Sequence, residues 1–434
     1  MPSAVSTTQS THPLPAAVQT RNLLLFAGCV GMQYLAAPVL YVGSTHAALL
    51  DKLDSSNAFA NSPESLYLAF TVVPVLVASL FPGIRWLKPL LAACYLLAAL
   101  GTGLVAASVW LGLSSRLIGY AVVLQGILTG ISIPTAITLV WEAMGRGVAE
   151  SRRGITLGLA YGGGPVLAAL GSLGSQALLT GESLGVRFGG PLSFPGNYAL
   201  VFLAAVCPML IAAFLATRFI LPPAVEHEPA APLLAGAADF MSDKLLPRAA
   251  IVTVLLYAGN TIMANLTLHT HDAMQSEPTR FVMYQNAMRF GTKALAGICL
   301  GALLARTNPR AGLLATGLIF TLAPLYAVFA SGLAYLATFQ IYGAGELVGV
   351  YAPNYLLSAS RPRDLRRNMA YANLLMAPAA PLGLVFGRLA DVVGAAATRA
   401  TGYRASFLLC AAIMGLGLLL ALVWLPKRPV PPAD

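Results

Sequence analysis

"PPAVEHEPAAPLLAGAADFMSDK", residues 222–244, is a Pro/Ala-rich, charge-bearing stretch inside the longest connection of the chain, 221–246. On both sides of it, apolar runs near the roughly 20 residues needed to cross hydrocarbon recur almost without pause. Twelve runs bounded by charge, Pro and Gly stand out: 22–48, 64–83, 88–111, 117–142, 154–179 and 197–220 before the stretch, and 247–268, 281–304, 310–331, 333–358, 368–391 and 402–425 after it. The connection therefore divides the spans six and six, and the expected architecture is an all-α polytopic membrane protein of twelve transmembrane helices in two pseudo-symmetric halves. The expected divisions are a disordered cytoplasmic N-terminus (1–20), a first half (21–220), a linker (221–246), a second half (247–426) and a short cytoplasmic tail (427–434).

Composition agrees. Of 434 residues, 57% are hydrophobic and 10% charged, with a mean hydropathy of +0.75, against roughly 25% charged residues in an ordinary soluble domain. The net charge of +10 is carried by short loops between apolar runs without a stacking aromatic surface, so no nucleic-acid partner is expected. Cys29, Cys94, Cys207, Cys299 and Cys410 all fall inside apolar runs without CxxC spacing, which indicates neither disulfides nor a zinc site. The first twenty residues lack the basic start and apolar core of a signal peptide, so the first span is expected to stay uncut.

Orientation follows from the basic residues. With an N-terminus inside, seventeen Lys and Arg fall in inside segments, among them Arg146, Arg152, Arg153 and the cluster Arg361, Arg363, Arg366 and Arg367. Seven fall outside: Lys52, Arg116, Arg187, Arg280, Arg388, Arg399 and Arg404. The excess places both termini in the cytoplasm of what is expected to be a bacterial inner (plasma) membrane.

The halves carry weak internal echoes. "SRRGITLGLAYGGGP" (151–165) pairs with "LRRNMAYANLLMAPAAP" (365–381), each a double Arg followed by a Gly/Ala helix interrupted by Pro, and Thr45-His46 closing the first span pairs with Thr270-His271 closing the seventh. The loop "GALLARTNPRAG" (301–312) resembles the loop motif of the major facilitator superfamily: Gly301, Leu303, Arg306 and Arg310 match, whereas Ala305 replaces the acidic residue and Asn308 the second glycine. "GRLADVVG" (387–394), with Asp391, followed by "GYRASFLL" (402–409) resembles the superfamily's entry into its last helix. The resemblance covers residues 21–428 and implies two six-helix halves that rock about a central solute cavity, with spans 7, 8, 10 and 11 supplying the second half's share of it.

Charge inside the apolar runs marks the candidate site. In "YQNAMRFGTKALAGICLGALLA" (284–305), Asn286, Arg289 and Lys293 share one helical stripe with no carboxylate in the segment. A cation in hydrocarbon costs at least about 2.5 kcal/mol on insertion scales, so both should face protein or water. Glu346 in the tenth span, with Phe339, Tyr342 and Pro353 on its side of the helix, is read as the only other mid-membrane charge. One Glu facing two cations leaves one positive charge in excess, suited to an anionic solute group, with Glu346 as pairing or coupling residue. A structural ion pair with a snorkelling Arg289 is the bland reading.

Gln125, Thr129 and Ser132 ahead of Pro134, Gln33 and Tyr34 in the first span, and Asn260 in the seventh can hydrogen-bond a solute or simply their own neighbours. His46, His271 and Asp272 offer ligand chemistry for a divalent metal or a pH-sensitive gate, against solvated histidines at helix ends. No HExxH, GxSxG or Walker loop is present, and "RFGTKA" lacks the phosphate-cradling spacing. The expectation is a monomeric, non-enzymatic secondary transporter in the lipid bilayer, without cofactor, moving a small anionic or zwitterionic solute with a proton or another coupling ion. Efflux of hydrophobic compounds, divalent metal transport and a non-transporting assembly or receptor protein on the same scaffold are the competing readings.

Overall fold

The computed structural model describes residues 14–81, 83–189, 192–222, 240–359, 371, 374 and 377–429. The first half contains α1 (Ala16–Leu35), α2 (Ala37–Leu40), α3 (Ser44–Lys52), α4 (Asn57–Ala69), α5 (Val73–Leu80), α6 (Leu87–Trp110), α7 (Ser115–Gly147), α8 (Glu150–Leu157), α9 (Gly163–Thr180) and α10 (Gly196–Thr217). The second contains α11 (Leu246–Tyr257), α12 (Met263–Leu268), α13 (Thr270–Met274), α14 (Pro278–Arg306), α15 (Pro309–Phe329), α16 (Ala337–Gly345), α17 (Val348–Ala359), α18 (Ala380–Ala396) and α19 (Arg399–Trp424). A two-residue hairpin, Glu182–Ser183 against Val186–Arg187, is the one sheet among the described residues.

Long apolar runs became helices because backbone polar groups in hydrocarbon need internal partners. Among the described residues, eight helices are long and apolar enough to cross a membrane. This is an integral membrane protein with an all-α fold. Side chains cap several helix starts: Ser114 Oγ accepts from Leu117 N, Asn308 Oδ1 from Ala311 N ahead of Pro309, and Thr398 Oγ1 from Thr401 N.

The expected spans that miss that mark are interrupted or charged. The first run breaks at Tyr41–Gly43, and Thr45 and His46 open the new helix α3, where Thr45 Oγ1 bonds the carbonyl of Pro38. The second begins seven residues early, at Asn57, with Ser56 Oγ accepting from Phe59 N, and passes through a 3-10 turn before α5. The tenth breaks between α16 and α17, and the eighth, α14, carries the cations. The fifth contains one π turn at Gly158–Gly162, inside the glycine-rich run.

Within the first half α6 packs between α7 and α10, while α1 lies against α7, α9 and α10. The halves meet through α9 with α14, α4 with α18 and α3 with α12. At the α4–α18 crossing, Gly387 is required by space. A Cβ there would stand 2.6 Å from the carbonyl oxygen of Asn57 and 2.8 Å from Cα of Ala58. The second member of the double-arginine echo, Arg366–Arg367, lies outside the described residues.

Candidate functional site

α14 carries Asn286, Arg289 and Lys293 toward α16, as their stripe requires, and α16 approaches so closely that Gly343 lies against the backbone of Arg289. α16 ends at Gly345, and Glu346 occupies the break before α17. Its own N–H still donates to Tyr342 O (2.8 Å), while its carbonyl accepts from Gly349 N (3.1 Å). A carboxylate at a helix break can turn toward a neighbouring helix without the i+4 packing that would hold it on a continuous one.

Glu346 reaches both cations. Arg289 Nε donates to Oε2 (2.9 Å) and Nη2 to Oε1 (2.5 Å), a fork-on-carboxylate pair. Lys293 Nζ lies 3.4 Å from Oε2. Lys293 and Glu346 keep 17% and 14% of their side-chain surface accessible, so the trio is not sealed in packing. At formal charges it carries one positive charge in excess. Two rings sit against the guanidinium, with Arg289 Cζ 5.1 Å from the Phe290 centroid and 5.3 Å from that of Tyr342. Tyr342 in turn donates from its hydroxyl to the carbonyl of Asn260 (3.3 Å), and Asn286 is buried one turn before Arg289.

The first half contributes aromatic surface. Tyr34 and Tyr41 hold their ring centroids 6.5 and 6.4 Å from Phe290, and 6.2 Å from each other. Of the polar candidates there, Tyr34 alone joins the site in this way.

The others are engaged elsewhere or stand apart. Gln33 Nε2 donates to Tyr95 Oη (2.7 Å). Gln125 contacts His46 Nε2 through Oε1 (2.9 Å) and donates from Nε2 to Val39 O (3.1 Å). Thr129 is fully buried, and its hydroxyl has no partner among the described residues. Both glutamines therefore tie helices together inside the first half, which is how buried amides are satisfied where no water competes.

The two histidines of the dipeptide echo have different surroundings. His46 is buried, edge-on to Phe202 at 5.5 Å, whereas His271 is exposed. The buried imidazole of the second half is His269, enclosed by Tyr335, Tyr403 and Phe407 at 5.4–5.5 Å. Asp272 lies 3.9 Å from both His269 Nδ1 and Arg399 Nε. Among the described residues no three His, Cys, Asp or Glu side chains gather as metal ligands.

The loop-motif residues divide. Gly301 and Arg306 are in the last turns of α14, where side chains fall outside the described set. Arg310 Nη1 donates to Leu425 O (2.7 Å) and Leu422 O (3.3 Å), neutralising the C-terminal end of α19 within its own half. Asp391 instead spans the halves: Oδ1 accepts from Asn57 N (3.1 Å) and Nδ2 (2.8 Å), and Oδ2 from Ala58 N (3.0 Å). Tyr403 Oη donates to Asn57 Oδ1 (2.6 Å), Asn61 Nδ2 to Asn265 Oδ1 (2.7 Å), and Arg399 Nη2 to Asp51 Oδ1 (2.8 Å); Lys52 pairs with Glu277. This face of the molecule, hereafter the closed face, is tied across the halves. It bears a polar cleft of about 320 Å³ bordered by Asp51, Asp54, Asp391 and Arg399.

One buried charge escaped the sequence reading. Glu64 lies inside α4, 7% exposed, so Glu346 is not the only carboxylate at depth outside α14. The second apolar run, 64–83, begins at this residue, so Glu64 read as the end of a span and not as a charge at depth. The Ser56 cap signal eight residues upstream was the available clue to an earlier helix start.

No protein-family model matches the chain, and no curated protein matches it. Solved structures do. A D-xylose–proton symporter aligns with a TM-score of 0.70 at 13% identity, over 95% of this chain and 100% of its own. A bacterial homologue of the human lysosomal transporter Spinster, inward-facing and occupied, aligns with 0.70 at 12% over 96% and 100%. A mutant of the nucleoside transporter NupG aligns with 0.69 at 11% over 93% and 100%. At such identities the shared property is the fold, end to end.

Proposed function

We propose, from a chain that has the major facilitator fold, that it is a secondary transporter which moves a small anionic or zwitterionic solute by alternating access. The observation that carries this reading is the trio Arg289, Lys293 and Glu346, two cations on one carboxylate at a helix break, beside the aromatic contact between the halves. A site with one positive charge in excess and low surrounding dielectric favours a ligand that brings one negative charge. The rings of Tyr34, Tyr41 and Phe290 suit an apolar or unsaturated portion of the same solute.

The closed face is taken as the outer one, because its loops hold the sparse basic residues Lys52, Arg280, Arg399 and Arg404. Both termini then lie in the cytoplasm. Uptake of radiolabelled organic anions and amino acids into proteoliposomes, under imposed pH and voltage gradients, tests the reading. Gradient-driven uptake by the native chain and its loss in an inserted Lys293→Ala chain is the expected pair of results. Uptake that Lys293→Ala leaves intact would overturn the assignment of the site, and no uptake or counterflow with any solute would overturn transport itself.

A further inference from the structure

Glu64 has no counter-ion. It follows Pro63 in α4, is 7% exposed, and its Oε2 has no hydrogen-bond partner among the described residues. Its carboxyl group meets the backbone N–H of Ala264 on α12, in the other half. Oε1 lies beside Gly43 and Met263: a Cβ added at Gly43 would be in ordinary contact with that oxygen, at 3.7 Å, and with Met263 Cγ, at 3.4 Å. A carboxyl group with one free oxygen therefore lies where the two halves touch.

The charges that face it do not neutralise it. Arg289 attracts and Glu346 repels, and these two already form a bidentate pair with each other. Lys293 is on the same Glu346. The phenols of Tyr67, on α4 itself, and Tyr342, on α16, also lie within its field and are neutral at physiological pH. α12 brings no ionisable side chain. α3 brings His46, engaged by Gln125, Asp51, held by Arg399, and Lys52, paired with Glu277. α18 brings Asp391, held at Asn57 and Ala58, and an exposed Arg388. α7 brings Arg116, which bonds Tyr120, and a Glu142–Arg146 pair near its other end.

An ionised carboxylate in such a position loses its hydration without a paired charge in return, and a buried acid escapes that cost by holding a proton. A metal ion would ask for several oxygen donors, and no such cluster exists among the described residues. We propose that Glu64 is a proton-binding site, occupied while the closed face is shut and released to water when α4 parts from α12 and α18. The proton would then be the second species of the transport cycle, bound on the first half, while Glu346 stays paired on the second. This assignment rests on the alternating-access reading above for its role in the cycle, and on the geometry of Glu64 for the site.

Two measurements on the full chain in lipid nanodiscs test it. Infrared difference spectroscopy at neutral pH should show a protonated carboxyl stretch that Glu64→Gln removes. Spin labels at exposed Val186 and Ala396, on the closed face of each half, should separate in the native chain as pH rises. In Glu64→Gln, which mimics the protonated acid, they should stay at the short distance across the whole range. A native chain without the carboxyl band, a band that survives Glu64→Gln, or a variant with the native pH response would each overturn the proposal. Both signatures in a chain that moves no solute would sink the transport reading and leave the proton site standing.

Discussion

Asp391 of α18 caps the first turn of α4 across the boundary between the halves, its two oxygens accepting the N–H groups of Asn57 and Ala58. A carboxylate at a helix N-terminus gains from both the unpaired N–H groups and the helix dipole. Hydrogen bonds to a charged group contribute about 1.5–3 kcal/mol each way the pair is broken. Asp391→Asn should therefore shift the two-state balance toward an open face while leaving each half folded. Faster maleimide labelling of a cysteine at Ser65, in a chain stripped of native cysteines, would register that shift; labelling at the native rate would show that the cap holds nothing shut.

Gly387 gives the same prediction by a different force. With the carbonyl of Asn57 only 2.6 Å from where a Cβ would sit, Gly387→Val cannot keep the α4–α18 contact. Overpacking of this kind costs typically 1–3 kcal/mol, all of it levied on the shut state. Increased labelling at Ser65 with an unchanged melting temperature is the expected outcome, and a lowered melting temperature with no labelling change would count against it.

The charged trio should behave asymmetrically. Glu346→Ala leaves two cations without a partner and should destabilise the chain by about 3–5 kcal/mol, the usual penalty for orphaning one side of a buried pair. Lys293→Ala leaves Arg289 and Glu346 matched and should spare the melting temperature while abolishing uptake. Arg289→Met and Lys293→Met together with Glu346→Leu, which leave no charge unpaired, should recover stability without recovering uptake, as read by thermal unfolding beside proteoliposome flux. A triple variant that transports with native affinity would reduce the trio to packing.

Gln125→Ala separates a structural amide from a solute ligand. It removes the partner of His46 and the donor to Val39 O, so a stability loss of about 1–3 kcal/mol with an unchanged KM is expected. A raised KM at native stability would return Gln125 to the solute site.

What could be read from the sequence was what depends on local pattern. Cations at i and i+4 in an apolar run announce α14, and the scarcity of carboxylates in the second half made Glu346 their evident partner. The break that lets Glu346 turn was harder to see, because Gly343 and Gly345 act through the backbones they admit, of α14 and α15, rather than through a hydropathy dip. Gln33 and Gln125 looked like solute ligands because their partners, Tyr95 and His46, are 62 and 79 residues away. His271 was singled out through a dipeptide echo, yet burial chose His269, two residues earlier on a turn that the echo does not encode. Glu64 was lost for the opposite reason: an apolar run that starts at 64 makes it a boundary residue, whereas the helix starts at Asn57 and carries it two turns inward.

The unequal count of charges around Glu346 also bears on tempo. Without solute, the trio must be enclosed as a net monocation, and enclosure strips away the water that was screening it. With an anion bound, the same movement encloses a neutral assembly. The loaded protein should thus reorient faster than the empty one, so that exchange of solute for solute across the bilayer outpaces net flow, and the return of the vacant site governs turnover.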